Sequence, residues 1–500
     1  MGLAGLPWIV APILLPLIAA TLASLLRIRA ALIVGLLASL GIVLTVAGLG
    51  LQVAVQGPQR YELAGWSAPL GIELYADGLS VVMLLMAAVV GAATSLYAAW
   101  YLSGERSTRK RAGDLGDSSG AFWPLWMFLW ASLNGLFLSA DVFNLYIALE
   151  ILSISSVALV ALEGGRAAVA AGMRYLLVSL LGSLSYLLGV GLLYGAFGAL
   201  SLEALGEVMV AGRAAYAALA LMTVGMVLKT ALFPLHFWLP PAHANAPTPV
   251  SALLSALVVK GSFYLILRLW FDVFPREATF LPGQLLGFLG AAAIVWGSVM
   301  ALRQKRLKLL VAYSTVAQIG YLFLLFPLAT TEGFGAWTGG IYHAFSHAFA
   351  KAAMFMSAGA IMKTLGHDEI GEMDGISQHL PLGIASFAVA GVTLMGLPPS
   401  GGFTAKWLLL AAALEGGRWA LATVILLGGL LAAGYLFLFL NRALLNVPVG
   451  KAPGSAPLGM EITALVLALV SLFLGLFSAP LLELLRIGAP FPPGLLSGVL

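Results

Sequence analysis

Cysteine is absent from this chain, which excludes disulfides and any iron–sulfur cluster held by its own thiolates. Charge is scarce as well. Only 9% of residues are Asp, Glu, Lys or Arg, against about 25% in an ordinary soluble protein, and a water-soluble enzyme is excluded on that ground. No G-x-G-x-x-G opens a helix after a strand, and no G-x-x-x-x-G-K-[ST] occurs, so neither glycine-rich phosphate cradle is present. Nucleotide binding and redox chemistry are therefore expected on other polypeptides, with no cofactor, no metal and no nucleic acid bound here. Long polar stretches are missing too. The longest breaks, 52–75, 103–120 and 363–379, are too short for a separate soluble domain.

What fills the 500 residues is apolar: 61% are hydrophobic and the mean hydropathy is +1.02. Apolar runs between polar breaks predict an all-α integral membrane protein with about fourteen transmembrane helices. They lie near 7–26, 30–52, 76–102, 122–139, 142–162, 168–198, 213–236, 248–271, 281–302, 308–327, 335–363, 381–414, 419–441 and 460–480. The first run, Trp8 to Leu26, meets no small-residue cleavage site before its flanking charges, and is expected to be a retained helix. Basic residues fix an orientation. With odd-numbered helices running inward, fourteen Lys and Arg fall on inside loops, clustered at 106–111 and 303–308, and six fall outside: Arg60, Arg213, Arg268, Arg276, Arg418 and Arg486. Both termini are thus expected outside the cytoplasm of a prokaryotic inner membrane. The two clusters read as topology determinants, with lipid or partner docking as the alternative.

Two helices are interrupted. Pro234, Pro240 and Pro241 punctuate helix 7, and Gly396-Leu397-Pro398-Pro399-Ser400-Gly401-Gly402 punctuates helix 12. Such backbone is tolerated at membrane depth only where protein or a water-filled cavity satisfies it. The breaks are five helices apart, an odd interval, so five-helix units carrying them would be inverted copies. The predicted division is a single membrane domain over 1–500: helices 1–3 in 1–120, a first repeat in 121–275, a second in 276–445, and helix 14 in 446–500. Ordinary proline kinks are the alternative.

Charges inside the apolar runs carry the functional signal. Lys229, Lys260, Lys351 and Lys406 each stand well inside a helix, where insertion scales charge about 2.5–3.5 kcal/mol per lysine. Snorkelling is the alternative for Lys229 and Lys260, weakened by a dozen or so apolar positions on at least one side. Glu150 is the clear buried acid, whereas Asp141 reads as a helix cap. His343, His347 and Lys351 follow at i, i+4 and i+8, on one helix face. A histidine pair at that spacing can bind zinc, but no third ligand lies nearby and Lys351 would repel a cation. A proton relay fits better, since histidine titrates near neutrality; a polar helix–helix contact is the other alternative. His236, seven residues past Lys229, extends the row, while His243, His367 and His379 are expected in solvated loops. A proton or small cation is the natural cargo.

These residues stand in motifs that resemble a known family: Asp141 to Glu150, Leu228 to Lys260 with HANAPTPVSALLSALVVKG, AYSTVAQIGY at 312–321, the His343/His347/Lys351 run, and GLPPSGGFTAKW at 396–407. Over roughly residues 60–480 the chain resembles the antiporter-like subunits shared by Mrp-type sodium/proton antiporters, respiratory complex I and membrane-bound hydrogenases. The resemblance implies proton transfer through Glu150, Lys229, Lys260, His343, His347, Lys351 and Lys406. It also implies other membrane subunits as partners, with protons and sodium as the candidate ions. Length without a long carboxy-terminal extension is similar to the D-type component of Mrp antiporters, the first expectation. A complex I-like or hydrogenase-type pump is the alternative, and a membrane partner in inorganic carbon uptake a further one.

Overall fold

The computed structural model of this chain describes residues 8–66, 71–112, 119–447 and 454–495. Two helices, α1 (Ala11–Leu25) and α2 (Ile28–Gln56), open the chain. A short antiparallel pair follows, β1 (Gln59–Glu62) with β2 (Glu73–Ala76), in the register Gln59 opposite Ala76. The expectation of an all-helical chain with a plain break at 52–75 is corrected there. Arg60 on β1 reaches Glu73 on β2 at 2.8 Å, a charge pair across the strands. Next come α3 (Gly78–Ala112), α4 (Ser119–Leu138), α5 (Val142–Val160), α6 (Arg166–Phe197) and the short α7 (Leu202–Val208). The first interrupted helix is α8 (Arg213–Thr230) plus α9 (Leu239–Asn245). Then α10 (Thr248–Val273) and α11 (Arg276–Leu302) run their full lengths. They are followed by α12 (Leu307–Phe323), α13 (Leu325–Glu332) and α14 (Phe334–Leu365). The second interrupted helix is α15 (Pro381–Met395) plus α16 (Gly401–Glu415). The chain continues through α17 (Trp419–Ala443), α18 (Leu458–Phe473) and α19 (Ala479–Arg486); the expected run 460–480 is covered by α18 only as far as Phe473, and α19 begins at the end of that run.

Among the described residues, nine helices are long and apolar enough to cross a membrane. Their packing inverts the rule for soluble proteins. The outer helices expose leucines, such as Leu37, Leu44 and Leu51 on α2 and Leu177, Leu184 and Leu188 on α6. Polar and ionisable side chains are inside, where they can find partners away from hydrocarbon. The centre is α10, α12 and α14, the first buried over most of its length, all three holding buried Ser, Thr and Lys, and α14 two buried His as well. Close packing of α8 on α6 relies on paired glycines. A Cβ on Gly225 would stand 2.3 Å from the Gly182 carbonyl oxygen, and one on Gly182 would stand 2.7 Å from that of Gly225. Backbone can approach backbone there only without side chains, and the approach sets the end of α8 against α6.

Candidate functional site

Lys229 occupies the last turn of α8, just before the chain leaves the helix through Ala231 at φ 60°. That left-handed conformation costs a non-glycine residue about 1–2 kcal/mol. Ending a helix here frees carbonyls, and the Trp238 indole N–H takes one of them, donating to Leu228 O at 2.9 Å. Trp238 is held flat against Tyr175, with ring centroids 4.3 Å apart. Lys229 itself turns toward α5 and α6. Its ammonium donates to Ser153 Oγ at 2.6 Å and Ser179 Oγ at 2.9 Å, and the two hydroxyls bond each other at 2.7 Å.

The next residue, Thr230, bonds Ser262 Oγ on α10 at 3.0 Å, which ties the first break to the helix of Lys260. Lys260 is fully buried and donates to the carbonyl of Ser255, five residues back on its own helix. In a regular α-helix that carbonyl would be taken by the N–H of Val259. A π turn over Leu254–Val258 widens the helix locally, frees a carbonyl and turns it toward the ammonium. Ser255 Oγ meets Thr315 Oγ1 on α12 at 2.9 Å. Three donors then converge on Val311 O: Ser314 Oγ at 2.8 Å, Thr315 Oγ1 at 3.0 Å and Lys351 Nζ at 3.0 Å. Lys351 also donates to Ser314 Oγ.

From Lys351 the row climbs one face of α14. The rings of His347 and His343 stack with centroids 5.8 Å apart, and His343 meets the Tyr321 ring at 5.1 Å. Beyond it, Lys406 Nζ lies 4.3 Å above the same tyrosine ring, a favourable place for a cation. It reaches back across the second break to Leu394 O at 2.6 Å, capping a carbonyl that α15 leaves free. Lys229, Lys260, His343, His347, Lys351 and Lys406 are all buried. Among the described residues, none of the four ring nitrogens of the two histidines makes a hydrogen bond of normal geometry. Among the described residues no group of three His, Cys, Asp or Glu gathers as a ligand set.

Residues 139–432, more than half of the chain, match the family described as NADH:quinone oxidoreductase/Mrp antiporter, TM. The chain belongs to that antiporter family. Residues 66–110 also match the N-terminal family of complex I chain 5. The N-type component of NADH-quinone oxidoreductase from Desulforudis audaxviator is 35% identical, covering 85% of this chain and 86% of the relative. The D-type component of the Na+/H+ antiporter from Alkalihalophilus pseudofirmus is 29% identical, covering 85% and 84%. Among solved structures, a chain of an archaeal respiratory membrane complex, the membrane-bound sulfane sulfur reductase, superposes with a TM-score of 0.86 at 28% identity. The match covers 98% of this chain and all of that one. A chain of the Mrp complex from Dietzia shares the fold, at 24% identity with a TM-score of 0.85 over 98% of both. This antiporter-family chain is thus a multi-pass integral membrane protein, and its structural neighbours are subunits of multisubunit membrane assemblies.

Several expectations change. Glu150 is half-buried, not fully so, and among the described residues forms no ion pair with Lys229; its Oε1 is buried without a partner. His236 lies in the break beside Phe233, 5.6 Å between rings, with no hydrogen bond to Lys229. His243 is not solvated: it is fully buried on α9, stacked 5.0 Å from Phe355. Lys308, counted with the inside-loop charges, is buried and donates to Ala246 O at 2.6 Å. Arg268, counted outside, is buried in a bidentate pair with Asp77 at 2.6 and 2.8 Å, with Tyr264, Ser80 and Asp272 around it. Glu461 is a further buried acid, accepting from Gly383 N at 2.8 Å at the start of α15. Asp141 is the cap expected of it, accepting from Phe143 N and Asn144 N at 2.8 Å each. Of the basic clusters, the side chains at 106–111 and Lys451 lie outside the described residues.

Proposed function

We propose that this antiporter-family chain carries protons across the membrane along Lys229, Lys260, Lys351, His347, His343 and Lys406, with Glu150 as the control on Lys229. What supports the reading is how the lysines are held. Each ammonium is buried and hydrogen-bonded to hydroxyls or carbonyls, and among the described residues none is in an ion pair with a carboxylate. A permanent buried charge is normally paired; amines held only by neutral groups can give up a proton without stranding a counter-charge. Hydroxyls that both donate and accept stand between successive amines, and the unpartnered imidazoles suit a hydrated relay better than a packing role. Glu150 acts by position: a carboxylate near Lys229 favours its ammonium form, and withdrawal of that charge favours release. His236 belongs at the cytoplasmic approach, as the access group to Lys229.

The same reading includes fourteen crossings. Besides the nine apolar spans, α1, α8 with α9, α14, α15 with α16, and α18 supply five more. On this count α4, α5, α6, α8–α9 and α10 form one repeat, and α11, α12, α14, α15–α16 and α17 its inverted copy, with both termini outside the cytoplasm.

Two owners are supported by different observations. Similarity to the D-type component of the Na+/H+ antiporter, at 29% identity over 85% of this chain, favours an Mrp-type cation/proton antiporter with this chain as its D-type component. The higher identity to an N-type component of NADH-quinone oxidoreductase, 35% against 29%, favours a redox-driven pump. Everted vesicles decide between them. Acidification driven by a sodium or potassium gradient without reductant supports the antiporter, and acidification only on oxidation of a reduced carrier supports the pump. If vesicles holding the whole complex move no protons under either drive, proton carriage is wrong.

A further inference from the structure

A groove of about 530 Å³ runs between α8 and α11, lined by Tyr216, Val224 and Val227 on one side and Leu281, Leu285 and Leu289 on the other. It is open to the bilayer: Leu281 is 75% exposed, Leu285 57% and Val224 55%. We infer that this groove binds one acyl tail of an anionic phospholipid. Depth argues for a tail. From Tyr216 to Val227 the wall on α8 rises about 17 Å, close to half of a hydrocarbon core of about 30 Å. On α11 the lining stops at Leu289, although the helix continues to Leu302. A partner's transmembrane helix would need a groove along the whole span, whereas a tail from one leaflet needs half.

The deep end is closed. Leu235, from the break after α8, lines the groove, and Phe233 meets Trp296 just beyond at 5.8 Å. At the shallow end the two helices begin with Arg213 and Arg276, both exposed and in no ion pair among the described residues. One crossing, α10, separates α8–α9 from α11, so α8 and α11 start on the same side of the membrane. Two guanidinium groups and two helix N-termini then flank the mouth, where the phosphate of a lipid would sit. Glu277 beside Arg276 offsets part of that charge, leaving the pair net positive. Half-exposed Tyr216 is placed as an interfacial aromatic. The groove wall includes Val227, two residues before Lys229, and Leu235 after the break, so the tail covers the interrupted helix on the side away from Ser153 and Ser179.

The test uses the whole complex reconstituted in vesicles of zwitterionic phosphatidylcholine with a minority of phosphatidylglycerol bearing a photoreactive tail. Illumination should label peptides 216–227 and 281–289 well above the lipid-exposed face of α2. Filling the groove with Val224→Trp and Leu285→Trp should abolish that excess, with Leu285→Trp alone giving a partial loss should the double variant fail to assemble. Arg213→Gln and Arg276→Gln should each lower the preference for phosphatidylglycerol over phosphatidylcholine roughly fivefold, while labelling by tail-reactive phosphatidylcholine persists. Labelling equal to that of α2, or unchanged by groove filling, overturns the inference. So does photo-crosslinking of these peptides to another subunit, and an unaltered headgroup preference in the arginine variants overturns its anionic part.

Discussion

Four lysines were legible in the sequence because a charge inside an apolar run is costly enough to need a reason, but their partners were not. Ser153, Ser179 and Ser314 look like ordinary helix serines, and only tertiary packing brings their hydroxyls to the amines. Ser314→Ala should therefore slow proton flux through the complex and lower its thermal stability, by about 1–3 kcal/mol, because Lys351 keeps only the Val311 carbonyl. Flux and unfolding of the purified variant check both; unchanged flux removes Ser314 from the path. Glu150→Gln keeps the shape and deletes the charge, and should cut flux roughly 10²-fold, whereas Glu150→Asp should retain part of it. Proteoliposome flux decides, and a Gln variant that pumps normally makes the carboxylate structural. Residues near helix ends were the ones misplaced. Arg268, Lys308 and His243 look solvated by position, yet neighbouring elements close over them, and each is buried.

At the scale of elements, prolines and glycines marked both interruptions. What they could not mark was how the freed carbonyls are satisfied. One is taken by the Trp238 indole and another by Lys406 itself, so the second break and its lysine form one unit. Gly402 sits at that junction, where a Cβ would lie 1.9 Å from Thr393 O. Gly402→Ala should push α16 away from α15 at a cost of about 1–3 kcal/mol, lengthening the reach of Lys406. The expected result is an assembled but slower complex, read by blotting and flux together; normal flux would separate that contact from transport. The π turn in α10 was invisible, since no residue type signals it, and it is what aims Ser255 O at Lys260. On α14 the i, i+4 spacing places the rings of His343 and His347 against each other. Replacing His343 and His347 together by alanine should slow flux and change its pH profile. A fall in stability with an unaltered profile would return them to packing.

Over the whole molecule, the apolar runs forecast most of the helices, and the described structure adds the strand pair, α7 and α19 where turns and short amphipathic pieces carry no run to read. The buried row crosses from α8 through α10 and α12 to α14 and α16, and so links the two interrupted helices through the best-buried elements. An arrangement of that kind is costly as scaffolding, and moving protons is the proposed reason for it. Lys229 is its proposed entry, and its serine partners cannot replace it, since a neutral hydroxyl takes up no additional proton at neutral pH. The most direct measurement is proton flux in proteoliposomes containing the complete complex with Lys229→Ala, alongside subunit blotting. The expected result is an assembled complex whose flux falls at least about 10²-fold. Wild-type flux from an assembled Lys229→Ala complex would contradict it.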